Sequence, residues 1–218
     1  MPDSSSNHYD KNYFDWQAPI GEFGGWANRS KFNKYISDDK KILDYGCGGG
    51  YLLKNFKCSK KVGVEINPSA AKIARDNGVQ VFESLADVPD NYVDLIISNH
   101  ALEHAHHPLA ELKSLYKKLE AGGKIVFVVP CETISAPYDE NDINNHLYTW
   151  NPLCLGNLFK EAGFSVIESK PLMHKWRMKF KILARFGGRR LFELACRIYA
   201  RVDRSTFQVR VIAEKKRL

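Results

Sequence analysis

The stretch Asp44-Tyr-Gly-Cys-Gly-Gly-Gly50 constrains this chain more than any other. It follows an apolar run of strand length, Lys41-Ile-Leu-Asp-Tyr45, and leads into the helix-like Tyr51-Leu-Leu. Glycines let a backbone turn sharply and approach a ligand with no Cβ in the way. Further runs of strand length, rich in β-branched residues, occur at Lys61–Ile66, Val79–Phe82, Val93–Ser98 and Lys124–Val129. Helix signals separate them. Asn67-Pro68 offers an N-cap and a first-turn proline, with Gly78 as the stop. Pro108 opens a second helix, with Leu109, Leu112, Leu115, Tyr116 and Leu119 at helical spacing before Gly122-Gly123. Strands alternating with helices predict parallel βαβ units in a doubly wound α/β sheet.

The flanks are different in character. Residues 1–40 interleave aromatic and polar side chains, with a helix expected near Trp26–Ile36. Beyond Pro130 a polar loop, Cys131–His146, precedes an apolar helix over about Leu153–Ala162, a strand at Phe164–Glu168 and a closing strand at Thr206–Ala213. Between those last strands lie eleven Lys/Arg against only Glu193 and Asp203, so the net charge of +7 resides in that segment. Its stripe Leu191, Leu194, Ala195, Ile198, Tyr199 and Val202 is expected to face the core or the cap. The 218 residues suit one domain: a lid or cap over 1–40, and a body over 41–218 with a basic helical insertion at about 170–204. Five cysteines without a CxxC pair argue against a disulfide framework and a structural zinc site. The polar start lacks a secretory pattern and no apolar run approaches membrane-spanning length, which leads to an expected cytoplasmic location.

Glu65 closes the second strand, 21 residues after Asp44. A carboxylate there can accept hydrogen bonds from both ribose hydroxyls of a nucleoside lying across the strand ends. A dinucleotide fingerprint reads G-x-G-x-x-G, but Gly46-Cys-Gly48-Gly-Gly-Tyr51 puts tyrosine at its last position. Asp44 would also repel a pyrophosphate, whereas it suits a cationic ligand. A glycine turn without a ligand is the bland alternative.

With these residues in hand, Leu43–Gly50 resembles the L-D-x-G-C-G-x-G motif of class I S-adenosylmethionine (SAM)-dependent methyltransferases, and Val62-Gly-Val-Glu65 their second motif. Ser84-Leu85 through Val93–Asn99 is similar to their adenine-binding turn and fourth strand. Leu119-Glu-Ala-Gly-Gly-Lys-Ile125 resembles their L-x-P-G-G turn, with Ala121 in place of proline. The resemblance covers about residues 40–168. It implies a Rossmann-like doubly wound sheet of seven strands, mostly parallel with an antiparallel last strand, and SAM as cofactor with S-adenosyl-L-homocysteine as product. It places Asp44, Gly46, Cys47, Gly48 and Gly50 along the methionine portion and Glu65 with Ile66 at the ribose. Ser84 and Leu85 would flank the adenine, and Asn99 and His100 would lie beneath the methionine. The narrower likeness is to small bacterial members of polysaccharide and lipid-glycan biosynthesis.

His100-Ala-Leu-Glu-His104 reads literally as the H-x-x-E-H pattern of inverzincin proteases, which requires a helix and a third ligand. It is also similar to the E-x-x-E-H of ubiquinone-type O-methyltransferases, with His100 in place of the first acid, which weakens a divalent metal. We therefore assign no metal ligand and read Leu102-Glu103-His104 as active-site wall. His106 and His107 fit a solvated helix start. O-methylation needs removal of the acceptor's proton, a role a neutral imidazole performs near pH 7, and His146 and His104 are the candidate catalytic residues against plain structural hydrogen bonding. Residues Tyr13–Trp26 would form a lid, or merely cap a helix layer. The basic segment suits a membrane surface or a phosphate-bearing substrate, or is a solvated face. No RNA-binding module is recognisable, which sets nucleic acid lower. The expectation is O-methylation of a small or glycan/lipid-linked acceptor, in the cytoplasm or peripheral to a membrane. The competing readings are a non-catalytic SAM- or RNA-binding module and a NAD-dependent oxidoreductase.

Overall fold

The computed structural model describes residues 11–217. Its centre is a seven-stranded sheet: β1 (Lys41–Tyr45), β2 (Lys60–Val64), β3 (Gln80–Phe82), β4 (Val93–Asn99), β5 (Leu119–Glu132), β6 (Ser165–Pro171) and β7 (Thr206–Glu214). The order is β3-β2-β1-β4-β5-β7-β6. β3, β2, β1, β4 and β5 run parallel, and β7 lies antiparallel between β5 and β6. The predicted strands are therefore all present, with the last one antiparallel. β5 begins earlier than expected. Val93 pairs with Leu119 while Leu95 pairs with Lys124, so the Glu120–Gly123 turn bulges out between two paired stretches.

The continuous apolar runs of β4 and β5 reflect burial on both faces. Ile96, Ile125 and Phe127 face a core with Leu112, Leu115, Phe159 and Phe164. Ile97, Val126 and Val128 face another with Phe32, Leu53 and Phe56. The covering helices are α1 (Lys11–Asn28), α2 (Tyr51–Lys54), α3 (Pro68–Asp76), α4 (Pro108–Lys118), α5 (Pro152–Glu161) and α6 (Phe180–Val202). Asn67 caps α3 as expected, its side chain accepting from the Ser69 and Ala70 amides, and Asn151 caps α5 in the same way.

The N-terminal helix lies earlier than expected. α1 ends at Asn28, and the span to Tyr35 is two 3₁₀ turns. A third cluster ties α1 to α6: Phe23, Ala27, Phe192 and Cys196 are buried together, with Trp26 and Trp176 against them. Gly21 and Gly25 let α1 lie on Tyr51, for a Cβ on Gly25 would stand 2.3 Å from the Tyr51 carbonyl oxygen.

Of the stripe expected to face the core or the cap on α6, Ala195 and Tyr199 are half-buried and the other four residues face solvent. Leu191, Leu194, Ile198 and Val202 are exposed, and the buried positions are Phe192, Cys196 and Ala200. The helical period is as read, but two apolar faces exist, and the aromatic contacts of Phe192 decide which one turns inward. The helix also kinks at Gly188.

Candidate functional site

The sheet order reverses between β1 and β4, where an α/β sheet opens a crevice beyond its strand C-termini. A cavity of about 740 Å³ lies there, bounded by Asp44 and Tyr45 after β1, Glu65 and Ile66 after β2, and Asn99 and His100 after β4. That volume falls within the roughly 300–1,000 Å³ of small-molecule sites. Ser84 and Leu85 form one wall, and Ile20, Gly24 and Asn28 of α1 form part of the roof.

The glycine loop is built for this place. Gly46 and Cys47 both donate to the Val64 carbonyl, at 3.0 and 3.1 Å, which folds the loop back over β2. Gly48 has φ +51°, and a Cβ on it would meet nothing within 4 Å, so the loop leaves ligand space where a side chain would intrude. Gly46 (φ +72°) has the opposite constraint, since a Cβ there would meet Ala101 at 2.4 Å. Gly50 does not line the cavity; it lies against Ala74 and Val79 and serves helix packing.

Electrostatics define the site further. Glu65 accepts from the Gly48 amide at 2.8 Å with one oxygen and from the Asn67 amide at 2.8 Å with the other. It therefore braces the loop while facing the cavity. Burial raises its carboxyl, against the pull of those backbone donors. Asp44 is buried, and its carboxyl is pushed well up, first by burial and then by the Glu65 charge. Glu83 and Glu111 also line the cavity, and no lysine or arginine does among the described residues. Such a cavity favours a cation and disfavours a pyrophosphate.

The far wall carries the histidines. His100 holds a left-handed backbone, φ +61°, with its amide donating to Val128. Leu102–His104 is a single 3₁₀ turn, so the helix that the protease reading requires is not formed. Glu103 is fully buried with neither carboxylate oxygen hydrogen-bonded. His100 Nδ1, His104 Nε2 and His146 Nε2 surround its Oε1 at 3.5, 3.9 and 4.0 Å. Among the described residues, Glu103, His104 and His146 are a set able to hold a divalent ion. His104 lines the cavity and donates to the Asn145 backbone; burial is the first cause lowering its pKa. His146 lies one layer back, 5.0 Å from His104 between ring centroids, and binds Glu132 at 2.7 Å. Burial opposes the protonated form of His146, but its hydrogen bond to Glu132 and the charge of Glu103 raise its pKa overall. His106 and His107 are exposed before α4, as expected.

Several parts of the site carry no signal in the sequence. Lys31 is buried, and its ammonium donates to Asn99 Oδ1 at 2.8 Å and Gln208 Oε1 at 2.7 Å, tying the cavity floor to β7. Burial lowers its pKa to about 7. Tyr45 donates to Glu111 at 3.1 Å on the cavity wall. Glu132 is the partner of His146, a pairing of residues 14 apart that only the turn after β5 creates.

Known proteins place the chain. It is 35% identical over 131 residues to the ubiquinone biosynthesis O-methyltransferase of Idiomarina loihiensis, covering 51% of this chain and 54% of that protein. The chain thus spans about half the length of the curated relatives it matches. A solved SAM-dependent methyltransferase of Thermotoga maritima superposes with a TM-score of 0.68 at 17% identity, over 97% of this chain and 100% of that one. One from Archaeoglobus fulgidus gives 0.63 at 21% identity, over 93% and 99%. These likenesses establish the shared fold. Residues 21–169 match the methyltransferase-domain family model, a span running from the cavity roof through the glycine loop to β6. The chain belongs to the methyltransferase-domain family.

Proposed function

We propose that the protein is a SAM-dependent O-methyltransferase acting on a small or glycan/lipid-linked hydroxyl acceptor, at or near a membrane surface in the cytoplasm. The observation carrying this reading is the cavity itself: buried Asp44 and half-buried Glu65 stand beside a glycine loop, and among the described residues no lysine or arginine lines it. The residues fit SAM. Glu65 keeps lone pairs for ribose hydroxyls beyond its two backbone bonds, and Asp44 faces the region a cationic ammonium would take. The open side of Gly48 leaves room for the methionine portion. Bound there, SAM supplies a methyl group on a sulfonium that an acceptor oxygen displaces in line.

The remaining work falls to the chain. Lys31 donates to Asn99 Oδ1 and so holds the Asn99 side chain in place at the cavity. α1 and Trp176 form the lid, excluding water from the reacting atoms. His104, kept neutral by burial, accepts the acceptor's proton at a ring nitrogen. His146 acts as a positioning residue, its ring fixed by Glu132 and placed against His104. The name of the Idiomarina relative supports oxygen as the methylated atom. No step depends on the divalent ion that Glu103, His104 and His146 could hold.

The test is release of S-adenosylhomocysteine from SAM across a panel of hydroxylated glycans, quinols and lipid-linked sugars. His104→Gln is expected to lower kcat about 10²–10⁴-fold, the range of general-base contributions, while leaving SAM affinity within a fewfold of wild type. His146→Ala is expected to lower kcat less and shift the pH profile. A wild-type protein that binds SAM yet turns over nothing on the whole panel would favour the non-catalytic binding module.

A further inference from the structure

α6 has two apolar faces, and only one of them has a partner in this chain. Phe192 and Cys196 turn inward onto Phe23 and Trp26 of α1, and Ala200 is buried one turn further on. On the other side Leu191, Leu194, Ile198 and Val202 recur at helical spacing and point to solvent, Val202 being 76% exposed. Before the kink, Ile182 and Phe186 add an exposed pair one turn apart, Phe186 at 82%. Isolated exposed apolar residues need no explanation, but a sustained stripe does.

The charges beside the stripe are of one sign. Arg185, Arg190, Arg197 and Arg201 are exposed along the same helix. On a helical projection Arg190, Arg197 and Arg201 fall together on one flank of the Leu194–Ile198 line. The two acids of the segment are taken up within the fold. Glu193 pairs with Arg189 at 3.0 Å and lies 3.4 Å from His174. Asp203 binds Lys175 at 2.9 Å and Arg177 at 3.4 Å, and accepts from Ser205. The outward surface of α6 is thus apolar residues edged with unopposed cations. A second copy of this chain would bring the same cations against themselves, and a neutral partner would leave them unanswered. A surface of lipid phosphates answers both features, because acyl chains receive the stripe and headgroups receive the arginines.

We infer that the outer face of α6 lies on an anionic phospholipid bilayer. The helix rests in the headgroup layer and does not cross it, in keeping with the absence, among the described residues, of a helix long and apolar enough to span. The geometry deepens the proposed function, for α6 packs directly on α1 and α1 roofs the cavity. Only one helix layer would then separate the active site from the lipid surface, which suits a lipid-linked acceptor. The docking inference itself rests on α6 alone and stands whether or not methyl transfer is confirmed.

The test is co-flotation of the full chain with vesicles of phosphatidylcholine, and with vesicles of phosphatidylcholine and phosphatidylglycerol. The full chain is expected to float with the anionic vesicles and not with the neutral ones, less so as salt rises. Leu194→Glu with Ile198→Glu should weaken this binding at least tenfold, roughly, as should Arg197→Glu with Arg201→Glu. Retained S-adenosylhomocysteine binding in both variants shows that the body is still folded. Far-ultraviolet circular dichroism serves the same control if the chain binds no such nucleoside. Absence of binding to anionic vesicles overturns the inference. So does binding that the arginine variant abolishes and the leucine–isoleucine variant leaves intact, since the stripe would then have no role. A wild-type dimer in analytical ultracentrifugation that Leu194→Glu dissociates, without vesicle binding, would assign the face to a second copy.

Discussion

Asp44 shows what one side chain contributes here. Its carboxylate is held in a buried place beside a second acid, an arrangement costly for the empty protein and favourable once a cation arrives. Asp44→Asn is therefore expected to weaken SAM binding. A hydrogen bond to a charged group contributes about 1.5–3 kcal/mol, so calorimetry should read a loss of roughly ten- to hundredfold. Because the carboxyl is raised, wild-type affinity should increase with pH above the ordinary carboxylate range, and this slope should flatten in Asp44→Asn. Lys31 makes a second residue-scale prediction. Its pKa falls from 10.5 to about 7 on folding, so between those values the unfolded chain carries a proton that the folded chain lacks. Stability contributed by this group then rises with pH across that window and falls as pH drops toward 7. Urea unfolding at several pH values should show that rise in the wild type and a smaller one in Lys31→Met. Equal slopes in the two proteins would remove Lys31 as the cause.

At the scale of elements, β1, the glycine turn and the following carboxylate are readable because local chemistry alone determines them. A strand pattern, four glycines and an acid at the end of the next strand need no distant partner to be meaningful. The helix caps at Asn67 and Asn151 belong to the same class, although the sequence reading expects only the first. Features set by long-range packing are not legible. The inward face of α6 depends on Phe23 and Trp26, more than 160 residues away in sequence, as the Arg189 bond to the Trp26 carbonyl illustrates. Lys31 gives no signal because its partners lie 68 and 177 residues along the chain. His146 stands out as a residue type in a promising loop, but its pairing with Glu132 and its place behind His104 follow only from the turn. The proposed lid, α1, makes a prediction at this level. A Cβ at Gly25 would meet backbone atoms of Tyr51, so Gly25→Ala must displace α1 from α2. Overpacking of this kind costs about 1–3 kcal/mol, readable as a lower urea midpoint together with weaker SAM binding. Unchanged binding and midpoint would show that α1 does not sit on Tyr51.

Across the whole molecule, charge is divided by role. The cavity collects carboxylates, and the cations gather on the far side of α1 along α6. The inner surface is suited to a cation and the outer surface to anions, with α1 separating the two. Two half-buried contacts hold this region on α1: Trp176, in the segment before α6, donates to Asn28 at 3.1 Å, and Arg189 of α6 lies over Trp26 at 4.3 Å.

Methyl transfer as proposed here requires the glycine loop and its two carboxylates to bind SAM. Isothermal titration of the wild type and of Glu65→Ala with S-adenosylhomocysteine tests it most directly. The wild type is expected to bind saturably at one to one, and Glu65→Ala to lose that binding while its circular dichroism spectrum is retained. No heat of binding from the folded wild type, or undiminished binding by Glu65→Ala, would contradict it.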